Sequence, residues 1–575
     1  MTTASTIRRR YVTAPIAGKA IGKGAEAGRL VHYRVCGEGP AVVMLHDSPR
    51  SSRLHTATMK MLASRFRVFA LDTPGYGNSQ PLGLIDPAIP DFAEALREAL
   101  AALGLEEAPL YATHTSAKIA LALAARGGKM PLLVLDGLSI PDAPAPETFI
   151  NAYMRPFRPD ADGAYLAAEW VHARDMLRWF PWFSRKAESR MAMDAPAPEW
   201  LEDYGIDLFS AGPHYSDAYA AAMRWNPLED LRTVQVPTRV AARSDDVLYG
   251  FLGKVPVDQN DRLTVERLGS DRDEWLDWLA ETLAGAGAGA GAGAASPPPP
   301  EAAPDAQAGY VDLPQGQLHW RRNLSGSGRT VLALSAPTTL EAQAWAQALA
   351  GSRPTLVPDL PGFGDSDPLA KPDADLLASS LAQVIEHLAL GKVDVLAIGL
   401  AAPLGARLAA LRPDLVETLV IHGAPHLDID AAFNAACCPV IPFDAHAGTH
   451  LHRIWHMLRD SQVQWPWFDG TQGAARKSAA LPEPAQMHAA LTGVLKQLPR
   501  YGDCVAAALT AASAEKWREV TVPTFVTLGD DPAQHEAEEI AGLLRDGQTF
   551  VLPASPQEGA AILTAMLGAA VPAAS

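Results

Sequence analysis

Imidazole, hydroxyl and carboxylate side chains follow short apolar segments in the first half of the sequence. They are His46 after residues 41–45, Thr115 and Ser116 after 109–112, Asp136 after 132–135, and Asp246 after 238–242. A histidine near its ordinary pKa can take the proton of a hydroxyl, and a carboxylate can orient that histidine. These residue types suit nucleophilic or acid–base catalysis, provided that the fold brings the ends of the apolar segments together.

The elements that must position these residues are strands alternating with helices. Short runs rich in β-branched residues alternate with longer stretches whose apolar residues recur every three or four positions, which predicts βαβ units and a mostly parallel sheet. The predicted strands are 41–45, 68–71, 109–112, 132–135, 238–242 and 263–267, and the predicted helices include 51–65, 91–103 and 116–126. An aromatic-rich helical insertion at about 141–225 interrupts this alternation after the sixth strand and predicts a cap.

The two halves of the sequence contain the same segments in the same order. The segment Asp72-Thr-Pro-Gly-Tyr-Gly-Asn-Ser79 returns as Asp359-Leu-Pro-Gly-Phe-Gly-Asp-Ser366, and a cap window beginning at Trp170 returns from Trp455 with six identities. A repeat at a nearly constant displacement indicates tandem duplication. We predict a first domain over 1–283, a linker rich in Gly, Ala and Pro over 284–307, and a second domain over 308–575 with its cap at about 425–511.

Composition restricts the partners. The 575 residues are 48% apolar and 20% charged, with a net charge of -17. This acidic balance argues against a nucleic-acid partner, and no apolar run is long enough to cross a membrane. The four cysteines show no C-x-x-C spacing, and no metal-ligand cluster or phosphate-binding glycine motif occurs, so we expect no metal and no cofactor. We expect a cytoplasmic protein, and contact between the two domains is left open.

The D-x-P-G-[YF]-G-x-S segments, the Leu45-His46 turn and the order of elements resemble the α/β-hydrolase fold. Both copies show this resemblance, which is closest to the epoxide-hydrolase, haloperoxidase and carbon–carbon-bond-hydrolase branches. The fold class that it implies is α/β, with two tandem α/β-hydrolase domains, each a mostly parallel sheet flanked by helices with a helical cap after the sixth strand.

The family carries a nucleophile on a strained G-x-S-x-G turn, followed along the chain by an acid and a histidine. Aligned with that motif, residues 113–117 place Thr115 at the nucleophile position, and residues 399–403 place Ala401 there in the second copy. The resemblance further implies an oxyanion hole near His46, Asp47 and Ser116. Domain 2 is therefore expected to be non-catalytic.

The acid and the base differ in how well they match the family. Asp246 matches the acid, with Asp136 as an alternate. The histidine after the last strand is absent from both copies, because no histidine occurs between His214 and His319 and the last one, His535, precedes the final strand. Both triads thus lack their base.

The cap supplies candidate substrate-binding residues: Trp170, Arg174, Asp175, Trp182 and Phe183. Aromatic clusters of this kind pack a cap against its core or form the wall of a pocket for an apolar ligand. Arg174 and Asp175 form an ion pair or a solvated helix face.

Three functions fit these patterns. The first is hydrolysis of a small apolar ester or related carbonyl compound at a modified site in domain 1. The second is a pseudoenzyme that binds a small apolar molecule or a partner protein. The third is a cofactor-free lyase or other non-hydrolytic chemistry. Whether the protein is an enzyme stays open at the level of sequence.

Overall fold

The computed structural model describes residues 6–16, 28–191, 194–287, 306–425, 427, 429–477, 481–553 and 555–569. By its internal contacts the chain divides into two compact units. Unit 1 comprises Met1–Arg158 and Glu169–Ala303, and unit 2 comprises Pro159–Ala168 and Pro304–Ser575. Most of the predicted linker lies outside the described residues. The domain boundaries at 283 and 308 remain a proposal.

The first half of the chain carries eight strands and nine helices among its described residues. The strands are β1 (Arg8–Pro15), β2 (Gly28–Cys36), β3 (Ala41–Leu45), β4 (Arg67–Leu71), β5 (Leu110–Thr113), β6 (Leu133–Asp136), β7 (Thr238–Arg243) and β8 (Leu263–Leu268). The helices are α1 (Thr56–Leu62), α2 (Ile89–Leu103), α3 (Thr115–Ala125), α4 (Glu147–Tyr153), α5 (Ala164–Asp175), α6 (Pro198–Ala211), α7 (Asp217–Arg224), α8 (Leu228–Thr233) and α9 (Arg272–Gly287).

The second half carries eight strands and ten helices among its described residues. The strands are β9 (Ala308–Leu313), β10 (Gly316–Asn323), β11 (Val331–Leu334), β12 (Thr355–Pro358), β13 (Val393–Ile398), β14 (Val416–His422), β15 (Thr524–Leu528) and β16 (Gly547–Val551). The helices are α10 (Leu340–Ala348), α11 (Ala374–His387), α12 (Ala402–Leu411), α13 (Ala431–Cys437), α14 (Thr449–Asp460), α15 (Pro484–Leu495), α16 (Asp503–Leu509), α17 (Ala514–Arg518), α18 (Ala537–Leu543) and α19 (Pro556–Ala569).

Both sheets have one topology. The first is ordered β1-β2-β4-β3-β5-β6-β7-β8 and the second β9-β10-β12-β11-β13-β14-β15-β16. In each sheet the two strands at the N-terminal edge pair antiparallel and the following strands pair parallel. The central strands are buried along their length, as β5, β6 and β13 show, because helices cover a parallel sheet on both faces.

The α/β prediction is confirmed, and the six strands predicted for the first half are present within one residue at either end. The antiparallel strands β1 and β2 were not predicted. The caps lie where they were expected, between β6 and β7 and between β14 and β15. Because β3, β5, β6 and β7 are parallel neighbours, their carboxyl ends lie at one edge of the sheet. Helix α9 continues to Gly287, beyond the predicted start of the linker. Among the described helices, none has the length and apolar character that crossing a bilayer requires.

The D-x-P-G-x-G-x-S segment builds a buried hydrogen-bonded turn around Asp72. The Asp72 carboxylate accepts hydrogen bonds from His32 Nδ1 at 2.7 Å and from the backbone N–H groups of Ser52 and Asn78 at 2.7 and 2.9 Å. Burial alone would raise the pKa of Asp72, but the charge and hydrogen bond of His32 outweigh burial and lower it. This segment is therefore a structural element that ties β2 and β4 to the turn after β3.

Unit 2 repeats this turn with Asp359. Its carboxylate accepts from His319 Nδ1 and from Arg321 Nη1, both at 2.9 Å. His319, Asp359 and Asp365 are close enough for their ligand atoms to surround a metal ion. Asp365, however, accepts hydrogen bonds from Lys496 Nζ at 3.0 Å on both oxygens. Arg321 and Lys496 already balance the carboxylate charges, which favours a structural role.

Gly77 tests the importance of the Asp72 turn. Gly77 has a φ of +53°, and a Cβ there would lie 2.1 Å from Asp72 Oδ2. We expect Gly77→Ala to destabilise the protein by about 3 kcal/mol, because alanine is strained at this positive φ and because the Asp72 carboxylate must move away from the new Cβ. Gly83→Ala is the matched control. Gly83 also has a positive φ, +67°, but a Cβ there would have no atom within 4 Å, so we expect a destabilisation of only about 1 kcal/mol. Urea unfolding followed by circular dichroism measures both; equal losses would contradict the prediction.

Candidate functional site

The backbone is strained at the turn between β5 and α3, at the carboxyl edge of the first sheet. His114 has φ +48° and ψ −111°, a conformation that a non-glycine residue adopts only at a cost of order 1–3 kcal/mol. Such a sharp strand-to-helix turn is where α/β-hydrolases present their nucleophile. The residue at the turn is thus His114, and Thr115 is the first residue of α3, with 7% exposure.

This placement corrects the expected nucleophile position by one residue. Strand β5 continues through Thr113, which pairs with Asp136 of β6, so the chain turns at the next residue. The motif therefore runs Ala112-Thr113-His114-Thr115-Ser116, with His114 where the family carries its nucleophile.

Unit 2 has glycine at the same turn. Gly399 has a φ of +54°, and Ala401, the residue expected at the nucleophile position, is fully buried at the end of a 3₁₀ turn. A Cβ on Gly399 would lie 3.3 Å from the Trp465 ring. The Trp465 ring therefore occupies the space into which a side chain at the Gly399 turn would extend.

The His114 ring pairs with Asp246, the predicted acid. His114 Nε2 lies 2.8 Å from Asp246 Oδ2, and the side chains are 31% and 18% exposed. Asp246 Oδ1 accepts the backbone N–H of Leu248 at 2.7 Å, which fixes the carboxylate. Gly137, after β6, leaves room for the pair, because a Cβ there would lie 2.5 Å from His114 Cδ2 and 3.0 Å from Asp246 Oδ2. His114 is not among the site residues that the sequence predicts.

Electrostatics keep the His114 ring charged at neutral pH. Burial alone would lower its pKa, but the hydrogen bond and charge of Asp246 raise it, helped by the charges of Asp47 and Asp136, to about 9. The pKa of Asp246 is lowered because the His114 hydrogen bond and charge outweigh the effect of burial. The pair is therefore an imidazolium and a carboxylate.

Asp136, the alternate acid, lies beneath this pair. Its Oδ2 accepts hydrogen bonds from the Tyr111 hydroxyl at 2.8 Å and from Trp275 Nε1 at 2.9 Å. Burial raises its pKa, although the two hydrogen bonds oppose the rise. The Asp136 side chain thus anchors β6 to its neighbours and acts on His114 through its charge.

The three residues expected at an oxyanion hole divide into two roles. His46 is fully buried, with Nδ1 2.7 Å from the Asp47 carbonyl oxygen and Nε2 accepting the Thr73 N–H at 2.9 Å, and the Ser116 hydroxyl donates to the His46 carbonyl. These side chains shape the turn after β3. Asp47 is different, because its buried Oδ1 atom has no hydrogen-bond partner among the described residues.

The charge of Asp47 acts on two tyrosines of the cap that were not predicted from the sequence. The Asp47 charge contributes to the raised pKa values of Tyr204 and Tyr219, for which burial is the largest cause. Tyr153 forms a hydrogen bond with Tyr219, and the two rings lie 5.9 Å apart. Asp47 and these phenols therefore interact electrostatically.

The predicted cap residues act mainly in packing. Trp170 is 2% exposed and lies against Gly205 of α6, and Trp182 is 6% exposed and donates from Nε1 to the Tyr153 carbonyl at 2.8 Å. Phe183 is 38% exposed beside Phe149. Asp175 forms its ion pair with Arg185, at 2.7 Å, and Arg174 is half-buried on α5.

The cap is fixed to the turn after β3 by charges. Asp207 of α6 accepts Arg50 Nε at 2.8 Å and the Ser51 hydroxyl at 2.7 Å, and Asp203 accepts Arg53 Nε at 3.2 Å. The Arg50 guanidinium also lies over the Trp200 ring, 5.2 Å from its centroid. These contacts hold α6, with Tyr204, beside Asp47.

Comparison with known proteins agrees with this architecture. The α/β-hydrolase fold family model matches residues 339–436. A pimeloyl-[acyl-carrier protein] methyl ester esterase of Aeromonas hydrophila is 38% identical over 58 residues, 10% of this chain and 23% of the esterase. A 2-hydroxy-6-oxononadienedioate/2-hydroxy-6-oxononatrienedioate hydrolase of Dechloromonas aromatica is 32% identical over 112 residues, 18% of this chain and 39% of that hydrolase. The chain thus spans less than half the length of each curated relative.

Solved structures align with about half of this chain at low identity. A laboratory-evolved variant of potato epoxide hydrolase has a TM-score of 0.38 and 19% identity, covering 49% of this chain and all of that one. An esterase from Thermogutta terrifontis has a TM-score of 0.36 and 16% identity, covering 48% of this chain and 99% of that one. The strand order and the family-model match establish an α/β fold class, with two mostly parallel sheets flanked by helices in the arrangement expected of two tandem α/β-hydrolase domains.

The charge state of His114 is measurable by NMR. We expect its ring to titrate with a pKa of about 9. Asp246→Asn should lower that pKa by one unit or more, because the opposite charge is lost. Asp245→Asn is the matched control, since Asp245 pairs with Arg243 and not with the ring. His114→Gln assigns the signal, and a wild-type ring titrating near 6.5 would refute the assignment.

The same shift predicts a pH dependence of stability. A histidine whose pKa rises on folding contributes stability that is complete below its unfolded pKa of about 6.5. That contribution is lost as the pH rises through about 9. Thermal unfolding between pH 6 and pH 10 should therefore show a smaller loss of Tm in Asp246→Asn than in the wild type.

Proposed function

We propose that unit 1 cleaves a small, mainly apolar carbonyl compound by acid–base chemistry at His114, without a hydroxyl nucleophile, and that domain 2 is non-catalytic. The observation that carries this proposal is His114 on the strained turn, 2.8 Å from Asp246. The Thr115 hydroxyl belongs to a buried residue of α3, which argues against the covalent route considered from the sequence.

The charge of His114 defines its role. With Nε2 engaged by Asp246, the ring nitrogen left for a substrate is Nδ1, and at neutral pH it carries a proton. A charged donor stabilises negative charge that develops on a carbonyl oxygen. The first N–H groups of α3 lie at the positive end of that helix and add to this stabilisation.

Asp47 is the candidate base for the attacking water. Its Oδ1 atom is free of hydrogen bonds among the described residues, and its charge acts on His114. In the proposed step, water adds to the carbonyl carbon and gives one proton to Asp47, while His114 donates to the carbonyl oxygen. As the intermediate collapses, the hydroxyl formed from the carbonyl oxygen returns its proton to His114 and the leaving group takes the proton from Asp47, so ester and water yield acid and alcohol and both residues regain their starting charge.

Binding without turnover is the second candidate. The imidazolium–carboxylate pair has a pKa of about 9, about two units above neutral pH, whereas general acids work best near the operating pH. Such a stable pair suits a pseudoenzyme that holds a carbonyl ligand. We also propose a tandem duplication, which is supported by the common strand order of the two sheets.

Hydrolysis of p-nitrophenyl acetate, butyrate and octanoate separates these functions. We expect His114→Ala to lower kcat/KM at least 100-fold, because the charged donor is lost. Thr115→Ala should retain activity within about threefold, and Ala401→Ser should gain none.

Solvent-exposed imidazoles also hydrolyse activated esters, so a second histidine is the control. His214 pairs with Asp217 through Nδ1 at 2.9 Å and is 44% exposed, and His214→Ala should change kcat/KM by less than twofold. Loss of activity in Thr115→Ala but not in His114→Ala would refute the proposal. No turnover by the wild type, with saturable binding of a carbonyl compound, would favour the pseudoenzyme.

A further inference from the structure

Unit 2 contains a cavity of about 250 Å³ beside the Gly399 turn, where Glu341 Oε2 lies 4.0 Å from the position of a Cβ on Gly399. It opens at the carboxyl ends of β13 and β14, where Ile398 and His422 line it. Trp345 of α10, Arg476 of the cap and Gln557 of α19 form other parts of its wall. The carboxyl edge of a parallel sheet is where such folds bind ligands.

Three charged groups meet beside this cavity. Arg476 donates from Nη1 to Glu341 Oε1 at 2.9 Å and from Nε to Asp531 Oδ2 at 3.2 Å. Asp531 is 4% exposed, and the Arg476 and Glu341 side chains are 14% and 26% exposed. One guanidinium thus faces two carboxylates, which leaves one negative charge in excess.

The titratable groups around Arg476, Glu341 and Asp531 do not neutralise the excess negative charge. Burial, with the charge of Arg476, lowers the pKa of His422 to about 4, so this ring is neutral at pH 7. Lys477 is exposed, where solvent and salt screen its charge, and Glu483 at the rim adds a further carboxylate. A half-buried negative charge is costly unless a cation pairs with it.

The rest of the wall suits an apolar body with a charged end. Leu340, Trp345 and Leu481 contribute apolar surface, and the Trp345 ring lies 5.2 Å from His422. Indole faces attract ammonium groups. An engineered cavity of about 150 Å³ accommodates benzene, so a cavity of this size holds one ring with a short polar chain.

We propose that this cavity binds a small organic cation, an ammonium group on a single ring or short aliphatic chain, with the ammonium paired to Glu341. The site is separate from the carbonyl chemistry of unit 1 and does not depend on it.

Isothermal titration calorimetry of the full chain tests this inference with three probes of one shape: benzylammonium, benzyl alcohol and benzoate. We expect benzylammonium to bind at least tenfold more tightly than benzyl alcohol, with affinity falling as salt is raised, and benzoate not to bind. Equal binding of the three probes, or no binding of benzylammonium, would overturn the proposal.

Variants locate the binding in unit 2. Glu341→Gln should weaken benzylammonium binding at least tenfold, whereas Glu386→Gln should leave it within twofold. Glu386 is a matched control because it pairs with Arg412 on the surface of the same unit, at 2.8 Å. Ala344→Leu, which fills the cavity without changing charge, should also abolish binding, and circular dichroism and Tm confirm folding. Unchanged affinity in both Glu341→Gln and Ala344→Leu would refute this location.

Discussion

The ion pair between His114 and Asp246 is the interaction on which the candidate site depends. It joins residues from two turns 132 positions apart, and it requires the backbone of His114 to stay in a strained conformation. The surroundings supply this constraint: β5 ends against β6, the His114 N–H donates to the Asp136 carbonyl at 3.0 Å, and Gly137 leaves space for both side chains. A strained residue persists only where its neighbours fix it in this way.

The sequence was sufficient for the fold and for half of this pair. Hydrophobic periodicity predicted the parallel strands and the caps, because strands buried on both faces are continuous apolar runs in the sequence. The repeat predicted two units with the same order of elements. Asp246 was also predicted. His114 was not, because periodicity fixes the end of a strand only to within a residue or two, and a shift of one residue at β5 exchanges Thr115 for His114 at the turn. The Asp47 environment depends on cap tyrosines whose direction no local pattern encodes.

The two units share one strand order but differ in the side chains at the turn after the central strand, β5 in unit 1 and β13 in unit 2. In unit 2 the residue at the turn is Gly399, Trp465 lies against it, and the pocket that Trp465 lines has a volume of about 40 Å³. The corresponding cap residue of unit 1, Phe180, is 59% exposed and packs beside Phe149 and Tyr153. Trp465 thus lies against the turn in unit 2, whereas Phe180 is largely exposed in unit 1. The larger cavity of unit 2 lies beside the ion cluster of Arg476 and reaches the turn through Ile398 and Glu341.

The electrostatics of unit 1 also explain why a triad histidine after the last strand is dispensable in the proposed reaction. A serine nucleophile needs a neutral base to take its proton, whereas an imidazolium at the turn needs a carboxylate to hold its charge. Asp246 meets the second requirement at 2.8 Å, and Asp47 offers a separate proton acceptor within electrostatic range of the ring. With histidine at the turn, the proposed reaction therefore takes its proton donor from the turn itself, and Asp246 stabilises the charge of that donor.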